Sequence, residues 1–554
     1  MERVDLIPPP TGAAATPAAT DADTGTGGLA DAYAAAPLLN CLLREVAEPV
    51  RSPAGAGAGA EVEVGGGAGA EVDGGDVDGD AGLRTYRLPG TGRLLRVRGT
   101  RRPTEPEVRV SGRWKTLGFT ELVELVSEEL TRLTGLANHE LPAEMRDSRE
   151  TLAALLTARA RAVPPADPYL LSEQSLITGH PYHPAPKARG GGPPSGWLPY
   201  APEAYARFPL TLLGLREDAV VEEGDTTALD AFGTAPPGYR LLPAHPWQLA
   251  LLGDRLAAPL ADGRLIRLGT TPSPVWPTAA IRTVYAPEAD HFLKFSLDVR
   301  ITNDVRRLWR HDLLKLRRTD AAATRALERS GGSWLSDRCY RTADFAFEEL
   351  AVMTRDGLRG QLPPGGTAYL AAGLVEGFEG SPLAGAADPG RWWEAYLAQV
   401  VPPALTAFAA HGVVLEAHLQ NAVIVCAPDG TPVRALFRDA EGVKLVADVG
   451  RAAGWERLVY CLVVNHLLEV AGALAERHPG FTPWPALRRE LRRHALPEIP
   501  ALLAAPTLPA KTNLLLRWTR ADGADARYRP LANPLADQPV NPLADRLAEP
   551  PSEG

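Results

Sequence analysis

The chain has 554 residues, of which 45% are hydrophobic and 23% are charged, a balance typical of a globular protein with about two or three domains. Its net charge of -9 at pH 7 argues against a nucleic-acid-binding protein, because such proteins need clustered Lys and Arg to neutralise phosphates. The four cysteines form no CxxC pair, which argues against a zinc site or a disulfide framework and favours buried thiols in a reducing compartment.

The first 30 residues are rich in Ala, Thr, Pro and Gly, a composition that predicts a disordered N-terminus over 1–30. They contain no signal-peptide core, and no uncharged apolar run approaches the ~20 residues that a membrane span requires. We therefore expect a cytoplasmic protein without a membrane partner.

The segment 31–165 is the first region predicted to be structured, and a Gly-rich flexible insertion is expected at 52–82. The glycines of this insertion resemble a nucleotide-binding fingerprint, but no predicted strand and helix flank them. A helix is predicted near AYAAAPLLNCLLREV, and short alternating runs from Tyr86 are typical of hairpins. Two amphipathic helices follow, and the second is predicted to begin at Asp147, with Glu150 completing a capping box.

The rest of the chain divides into three predicted parts. Residues 166–400 mix turns and short strands and are expected to form the central nucleotide-binding region, whereas helical patterns dominate 401–520. The Pro-rich tail, 521–554, contains NPLAD twice and is predicted to be loosely ordered. The pattern as a whole indicates an α+β fold with a mixed, sheet-containing centre and a helical C-terminal lobe.

The first candidate site is the loop GHPYHPAPKARGG at 179–191. Its three prolines preclude a continuous helix and hold four side chains on one turn, where they would face an anion: His180, His183, Lys187 and Arg189. Lys and Arg are the side chains that bind phosphates and carboxylates. A plain surface turn remains the alternative, and the HxxH spacing lacks a third ligand for zinc.

The second candidate lies within residues 277–307. Lys294 occupies an apolar strand, FLKFSLDVRI, where burial without an anionic partner would cost several kcal/mol. Arg282 and Thr283 begin the strand-like stretch before it. A helix start, where backbone N–H groups add to anion binding, is predicted at Asn303, Arg306 and Arg307. The alternative is a solvated edge strand with ordinary charges.

The third candidate, residues 411–443, predicts a turn followed by a β-hairpin. The turn carries Glu416, His418, Gln420 and Asn421, and the hairpin returns Asp439 to the neighbourhood of Asn421. Carboxylate and amide oxygens that converge in this way suit Mg²⁺ and the phosphates of a nucleotide. Phosphotransferases of the kinase type use a similar arrangement.

Two shorter motifs and two absences complete the pattern. HPWQ at 245–248 is a compact turn that is as consistent with a structural role as with a functional one. KTNLLLRW presents Lys511 and Arg517, which either reach a cleft or lie on the surface. The chain contains neither GxxxxGK[ST] nor GxSxG, which excludes a P-loop enzyme and a serine hydrolase of the α/β type.

These segments together resemble the siderophore synthetases that work independently of nonribosomal peptide synthetases, the aerobactin-synthetase (IucA/IucC) family. The matching motifs are GHPYHPAPKARGG, HPWQ, PTAAIRTV with KFSLDVRITNDVRR, EAHLQN, FRDAEG and KTNLLLRW. The resemblance implies a hand-like architecture with thumb, fingers and palm regions. It also implies a ligase that uses ATP and Mg²⁺ to adenylate a carboxylate of citrate or a related acid, which an amine or hydroxyl then attacks.

The resemblance also implies roles for the candidate residues. The ATP-binding set comprises His180, His183, Lys187, Arg282, Thr283, Lys294, Asn303, Arg306, Gln420 and Asp439. The polycarboxylate set comprises Arg306, His418, Lys511 and Arg517, and the Mg²⁺ set comprises Glu416, Asn421 and Asp439. Catalysis is expected from His418, Arg306 and Lys294.

The chain departs from the family pattern at Ala279 and Ala280, where serine is frequent, and at Leu419, so the identities of the acid and amine stay open. The partners implied are small molecules, and the resemblance is compatible with a homodimer. A small-molecule kinase and a non-catalytic protein that binds a polycarboxylate or siderophore are the alternatives. The kinase would release ADP, and the binding protein would consume no ATP.

Overall fold

The computed structural model describes residues 22–50, 82–190, 192–302, 304–521 and 528–536. Most of the predicted flexible insertion at 52–82 lies outside these ranges, and so does the candidate residue Asn303. The described elements mix helices with seven β-sheets, which confirms the predicted α+β class.

The N-terminal region is a five-stranded antiparallel sheet packed against helices. The helices α1, α2 and α3 span Ala22–Glu45, Phe119–Thr134 and Glu140–Arg159. The strands β1–β5 span Glu48–Pro49, Leu83–Arg87, Leu94–Arg98, Thr104–Val110 and Arg113–Thr116, and they pair in sequence order. Apolar residues at helical spacing on α2, including Leu122 and Val126, are buried with Leu38 of α1 and Val97 of β3 in one core, as amphipathic patterning requires.

Two predicted boundaries in this region are wrong. Helix α1 begins at Ala22, so disorder is not correct for residues 22–30, where Ala30 already packs into the core. Asp147 is an interior residue of α3 and not its first. Its carboxylate accepts hydrogen bonds from the backbone N–H groups of Arg189 (2.7 Å) and Gly190 (3.0 Å), and it thereby anchors the end of the 179–191 loop.

The central region contains a three-stranded and a six-stranded sheet with short helices between their strands. Its first helices and strands are α4 (Pro168–Glu173), α5 (Pro194–Trp197), β6 (Thr211–Arg216), β7 (Val220–Gly224), α6 (Thr227–Asp230), β8 (Tyr239–Ala244), α7 (Pro246–Leu252), α8 (Ala257–Ala261) and β9 (Leu265–Thr270). There follow β10 (Trp276–Pro277), β11 (Thr283–Ala286), β12 (His291–Phe295), β13 (Arg300–Ile301), β14 (Asp304–Val305), α9 (Arg310–Arg329), β15 (Ser333–Leu335), β16 (Asp337–Ala343), β17 (Val352–Asp356), β18 (Thr367–Leu370) and α10 (Ala371–Glu376).

The six-stranded sheet, of order β10-β11-β12-β17-β16-β7, supports the functional candidates. Its strand β11 is buried throughout, and most of β12 is buried as well. Lys294 lies opposite Thr283 on β11 and Met353 on β17. The predicted helix start is wrong for Arg306 and Arg307, because they follow strand β14 and α9 begins only at Arg310.

The C-terminal region is mostly helical. Its elements are α11 (Pro389–His411), β19 (Val413–Val414), β20 (Ala422–Cys426), β21 (Pro432–Arg438), β22 (Lys444–Leu445), α12 (Val446–Val449), α13 (Arg451–Leu458), a π-helical segment (Val459–Leu467), α14 (Leu468–Arg477), α15 (Trp484–Arg492), α16 (Ile499–Ala504), β23 (Thr507–Lys511), α17 (Asn513–Thr519) and β24 (Tyr528–Ala532). The predicted hairpin is present as β20–β21, within a four-stranded sheet of order β15-β21-β20-β18.

One continuous helical stretch, Arg451–Arg477, is long and apolar enough to span a membrane. Of its most apolar window, 72% is buried inside the molecule, and residues such as Leu462 and Leu474 belong to the largest hydrophobic core. Apolarity around most of a helix is what burial in a protein core demands.

The prediction of a loosely ordered tail is wrong for residues 528–536. Strand β24 pairs with β23, Tyr528 being opposite Lys511. Asn533 of the first NPLAD unit donates to the carbonyls of Leu502 and Ala505, both at 2.8 Å, and Leu535 is fully buried. The asparagine side chain thus satisfies carbonyls at the end of α16, which orders the segment.

Candidate functional site

The centre of the site is an ion network between β12 and the turn after β21. The ammonium of Lys294 donates to Asp439 Oδ1 and Glu441 Oε2, each at 2.7 Å. The prediction that Lys294 meets anions is therefore confirmed, with partners that belong to the chain itself. We name Lys294, Arg282, Arg306, Asp439 and Glu441 the Lys294 cluster.

The two carboxylates of this cluster are mostly buried but keep some contact with solvent. The side chains of Asp439 and Glu441 are 24% and 22% exposed. Burial alone would raise the pKa of Asp439, but Lys294 and Arg355 hold it far below its usual value. In the same way, Lys294 and Arg282 outweigh burial and lower the pKa of Glu441, so both groups are ionised at neutral pH.

A tight loop at residues 278–283 sets the position of Arg282. The backbone N–H and hydroxyl of Thr278 both donate to the carbonyl of Thr283, at 2.8 and 2.9 Å, and Ile281 adopts a left-handed φ of 51°. The guanidinium of Arg282 donates to the carbonyl of Arg307 (2.8 Å) and lies 3.5 Å from Glu441. Thr283 is buried in β11, beside Lys294, as predicted.

Arg306 follows β14 and turns its guanidinium toward Arg282. It donates to the carbonyl of Ile301 (2.7 Å) and the hydroxyl of Thr302 (2.6 Å), which are neutral acceptors. Burial, and then the charge of Arg282, lower the pKa of Arg306 to about 10. Two cations held together in this way favour an anionic ligand, which would relieve their repulsion.

A second group of basic side chains, which we name the His418 cluster, comprises His418, His180, Arg44 and Lys511. His180 is exposed to solvent, but the surrounding protein lowers its pKa to about 4, with further lowering by His418, Arg44 and Lys511. His180 was predicted to bind ATP, whereas the structure groups it with His418.

The loop that carries His418 is fixed by its own hydrogen bonds. His418 Nδ1 accepts from the backbone N–H of Gln420 (3.2 Å), and the carbonyl of Gln420 accepts from Arg438. Asn421 donates to the carbonyl of Glu416 at 3.2 Å. The structure thus brings the predicted residues of this loop together. Asn421 and the backbone of Gln420, however, use their hydrogen bonds to stabilise the loop.

The π-helical segment contacts this loop through His466. His466, which is fully buried, lies 2.8 Å from the carbonyl of Ala417 through Nδ1 and 2.5 Å from the hydroxyl of Tyr396 through Nε2. Burial lowers the pKa of His466 to about 4, so it is neutral at physiological pH. Short π-helical insertions are frequent at functional sites, and this one places a histidine directly under the His418 loop.

The loop that carries His418 and the turn that carries Asp439 and Glu441 meet at Glu416 and Gly442. A Cβ atom on Gly442 would lie 2.0 Å from Glu416 Oε2, so only glycine allows the turn at 439–442 to approach the His418 loop. The carboxylate of Glu416 also pairs with Arg457 at 2.6 Å. The loops that carry the two cationic clusters are thus in contact with each other.

Three predicted site residues have other partners in the structure. Lys187 is buried and ion-paired with Glu203, which also meets Arg189 at 3.4 Å. His183 is 2% exposed, and its Nδ1 accepts from the backbone N–H of Ala185. These contacts inside the protein stabilise the 179–191 loop. Direct contact of the three side chains with a nucleotide stays a prediction.

Arg517 contradicts the expectation of a free cation in the cleft. It lies on α17, and its guanidinium forms an ion pair of 2.5 Å with Glu144 on α3. This pair joins the C-terminal helix to the N-terminal region. The other cation of KTNLLLRW, Lys511 on β23, is the one that reaches the His418 cluster.

HPWQ has a structural role. The Nδ1 atom of His245 accepts from the backbone N–H of Trp247 and caps α7, while burial lowers the histidine pKa to about 3. Gln248 binds both the backbone N–H and the carboxylate of Asp298. Asp298 in turn pairs with Arg307, whose carbonyl orients Arg282.

The predicted Mg²⁺ ligands are only partly assembled. Among the residues that the structure describes, no group of three or more His, Cys, Asp or Glu side chains could hold a metal. Glu416 pairs with Arg457, whereas Asp439 has Glu441 as its close carboxylate neighbour. A pair of carboxylates fits Mg²⁺, which commonly uses one or two carboxylates together with substrate phosphates.

The sequence patterns did not predict several residues of the site. Glu441 stands in the motif FRDAEG, and its acidic character two positions after Asp439 was the available signal. Arg44 belongs to α1 and Arg355 to β17, and both are far in sequence from the cluster residues that they approach. Only tertiary structure brings them to the cleft.

Comparison with protein families gives two matches in succession along the chain. Residues 168–376 match the IucA / IucC family, and residues 390–526 match the family described as ferric iron reductase FhuF-like transporter. The first match contains β11, β12 and Arg306, and the second contains the His418 loop, Asp439 and Lys511.

Curated relatives span most of the same region. An L-2,3-diaminopropanoate–citrate ligase of Staphylococcus aureus is 27% identical over 438 residues, covering 67% of this chain and 75% of that protein. The rhizobactin siderophore biosynthesis protein RhbC of Rhizobium meliloti is 29% identical over 452 residues, covering 68% and 75%.

Solved structures share the fold. The ATP-bound aerobactin synthetase IucA of Klebsiella pneumoniae superposes with a TM-score of 0.74 at 20% identity, covering 91% of this chain and all of that one. The petrobactin biosynthesis protein AsbB of Bacillus anthracis gives 0.71 at 17% identity, covering 92% and 96%. The hand-like architecture that the sequence predicted is consistent with these neighbours.

Proposed function

Because the chain belongs to the IucA/IucC family, we propose that it is an ATP-dependent ligase of siderophore assembly. It joins a carboxylate of citrate, or of a related polycarboxylic acid or its monoamide, to an amine or hydroxyl group. The names of the curated relatives support this substrate class, since one is a citrate ligase and another belongs to siderophore biosynthesis. The ATP-bound structural neighbour supports the use of ATP.

One observation carries the proposal: the loops that hold the two cationic clusters touch each other at Glu416 and Gly442. A reaction between a polycarboxylate and a triphosphate must bring several negative charges together. Arg306 and Arg282, close enough for their charges to interact, would bind the phosphates together with Lys294. His418, Arg44 and Lys511 would bind the acid, and the basic groups offset the repulsion between the two substrates.

The reaction proceeds in two halves. A carboxylate oxygen of the acid attacks the α-phosphorus of ATP, and the bond to pyrophosphate breaks as the acyl-adenylate forms. The amine nitrogen then attacks the acyl carbon, AMP leaves with the bridging oxygen, and the nitrogen loses a proton. No protein nucleophile is required, so the protein contributes position and charge stabilisation.

Within this scheme the structure supports distinct tasks for the two histidines near the acid. His180 is neutral at physiological pH and is suited to hydrogen bonding, while His418 is held in place by Gln420 and the loop above His466. Mg²⁺ would be held by Asp439 and Glu441 and would neutralise charge on the nucleotide phosphates. Cytoplasmic action on small molecules fits this chemistry.

The proposal is tested by measuring nucleotide products while a few carboxylic acids are crossed with polyamines, hydroxamate-bearing amines and amino acids. We expect AMP and pyrophosphate only when both an acid and a nucleophile are present. ADP as the product would indicate a phosphotransferase, and acid binding without ATP consumption would indicate a binding protein. Either result would refute the ligase proposal.

A further inference from the structure

Asp337, at the start of β16, is a carboxylate with no solvent exposure. It accepts three hydrogen bonds: from Arg355 Nε (2.7 Å), from Arg355 Nη2 (3.2 Å) and from the backbone N–H of Ala440 (2.8 Å). The first two form a bidentate pair across neighbouring strands, because Asp337 and Arg355 are opposite each other in the sheet. Such a pair fixes the plane and direction of the guanidinium.

Arg355 extends the contact to the functional cleft. Its Nη2 atom donates to Asp439 Oδ1 at 3.3 Å, the same oxygen that accepts from Lys294 at 2.7 Å. Acids and bases therefore alternate from the sheet interior to the cleft in the order Asp337, Arg355, Asp439, Lys294, Glu441, Arg282. Three carboxylates and three cations balance along this path.

The turn that carries Asp439 and Glu441 needs such support. Asp439 has a left-handed φ of 83°, which is unfavourable for a residue with a side chain. Asp337 holds the next peptide through Ala440, and Arg355 holds the carboxylate of Asp439. The two contacts act on the backbone and on the side chain of the same turn.

The position of Asp337 is itself fixed by Asp320 of helix α9. Its backbone N–H donates to Asp320 Oδ1 at 2.8 Å, and Asp320 also accepts from the indole of Trp334 and the hydroxyl of Ser336. The support thus extends into the core, where side chains have a single well-packed arrangement.

We infer that Asp337 and Arg355 are positioning residues that hold Asp439 and Lys294 in the arrangement required for magnesium nucleotide, without touching it themselves. This inference rests on the proposed function. Residues behind the metal and substrate ligands commonly change affinity or activity by about 10–100-fold. We expect the same range here, mainly in the affinity for the magnesium nucleotide.

The test compares Asp337→Asn and Arg355→Lys with a matched control, Glu222→Gln. Glu222 is also a carboxylate partner of a buried arginine on β16, Arg341, but its pair does not touch Asp439. We expect Asp337→Asn to raise the KM for ATP and the half-saturating Mg²⁺ concentration about 10-fold or more. Its kcat at saturation should stay within about 3-fold, and Glu222→Gln should leave all three values within about 2-fold of the parent.

Arg355→Lys keeps the buried charge but loses the bidentate fork, so it tests the same role in a protein that retains charge balance. We expect its KM for ATP to rise as in Asp337→Asn. In the double variant Asp337→Asn with Arg355→Gln, the aspartate change should add less to the effect of Arg355→Gln than it causes alone, because only its contact with Ala440 then remains.

The outcomes separate the inference from the proposed function. A parent protein that releases no pyrophosphate refutes the ligase; the affinity of a fluorescent ATP analogue, with and without Mg²⁺, then decides the positioning role. If circular dichroism shows that Asp337→Asn does not fold, Arg355→Lys decides. Nucleotide and Mg²⁺ affinities that match those of Glu222→Gln in the folded variants would overturn the inference.

Discussion

At the scale of single residues, Arg306 illustrates a conflict between stability and binding. Its guanidinium is surrounded by protein and lies close to that of Arg282, which is why its pKa falls to about 10. The described residues give Arg306 no ion pair with a carboxylate within 4.0 Å, so Asp304 and Glu441 only partly offset its burial and its repulsion from Arg282. An anionic substrate removes that penalty when it binds.

Replacing Arg306 by Gln should therefore not destabilise the ligand-free protein. We expect the free energy of unfolding to stay the same or to rise by up to about 1–2 kcal/mol. The same change should abolish the rise in melting temperature that ATP with Mg²⁺ produces. Urea denaturation and thermal scans with and without nucleotide measure both effects. A large loss of stability in the ligand-free state would instead identify Arg306 as a structural residue.

Lys294 should behave in the opposite way. Replacing it by Met leaves Asp439 and Glu441 facing each other without their shared cation, and breaking a buried ion pair commonly costs about 3–5 kcal/mol. Because both carboxylates keep some solvent access, we expect about 2–4 kcal/mol by urea denaturation. Arg318→Ala, which removes an exposed pair between α9 and Asp448 of α12, is the control and should cost less than about 1 kcal/mol.

The contrast between these residues shows what sequence could and could not predict. An apolar strand around Lys294 was enough to predict an anionic contact, because burial of an unpaired cation is costly. The pattern could not distinguish a substrate from the carboxylates of Asp439 and Glu441, which lie about 145 residues away. Arg517 failed for the same reason, since its partner Glu144 is remote in sequence.

At the scale of elements, local pattern predicted the hairpin β20–β21 and the amphipathic helix α2, because turn residues and periodicity act over short distances. It failed where tertiary contacts decide the backbone. The segment around Arg306 is a hairpin whose backbone bonds to residues 297–299, and residues 528–536 are ordered by pairing with β23. The π-helical segment below His418 has no signature in its apolar sequence.

Helix α17 contains a contact that makes the element sensitive to pH. The carboxylate of Glu45 accepts from the backbone N–H groups of Leu514 (3.0 Å) and Leu515 (2.8 Å) at the start of α17. Burial outweighs these bonds and raises the pKa of Glu45 to about 7. Since the unfolded chain has the ordinary pKa near 4.5, the folded state binds more protons between these two values.

By linkage, the contribution of Glu45 to stability falls as pH rises from about 4.5 to about 7, by at most about 3 kcal/mol. Glu45→Gln, which cannot ionise, should lack this fall. The free energy of unfolding, measured in urea for both proteins at pH 5 and pH 8, gives the difference directly, because other titrating groups contribute equally to both. An identical pH dependence in the two proteins would show that Glu45 keeps an ordinary pKa.

At the scale of the whole molecule, the cleft joins regions that have separate hydrophobic cores. Arg44 comes from the N-terminal core, Lys294 from the central sheet and His418 from the helical C-terminal region. The acid-binding cluster therefore depends on how these regions are held together. Asn513 contributes one link, since its side chain donates to the carbonyl of Tyr182 at 2.7 Å.

Arg102 forms another link to the loop that carries His180, in addition to the bond from Asn40 to the carbonyl of Pro181 (3.1 Å). Its guanidinium donates to the carbonyls of Val375 (3.2 Å) and Glu376 (3.0 Å) at the end of α10. The carboxylate of Glu376 in turn accepts from the backbone N–H and hydroxyl of Thr178, two residues before His180. The N-terminal sheet is thereby tied to the loop that presents His180, whereas the Lys294 cluster is anchored independently through Asp337 and Arg355.

Arg102→Ala should consequently affect the two substrates unequally. We expect the KM for the acid to rise about 3–10-fold, equivalent to about 1 kcal/mol or the loss of one or two hydrogen bonds. The KM for ATP should change less than about 2-fold, since no contact of Arg102 touches its cluster. Arg98→Ala, which removes the exposed pair with Glu105 inside the same N-terminal sheet, is the control and should leave both constants unchanged. Equal increases for both substrates would mean that the regions respond as one rigid unit, and that the acid cluster does not depend separately on this link.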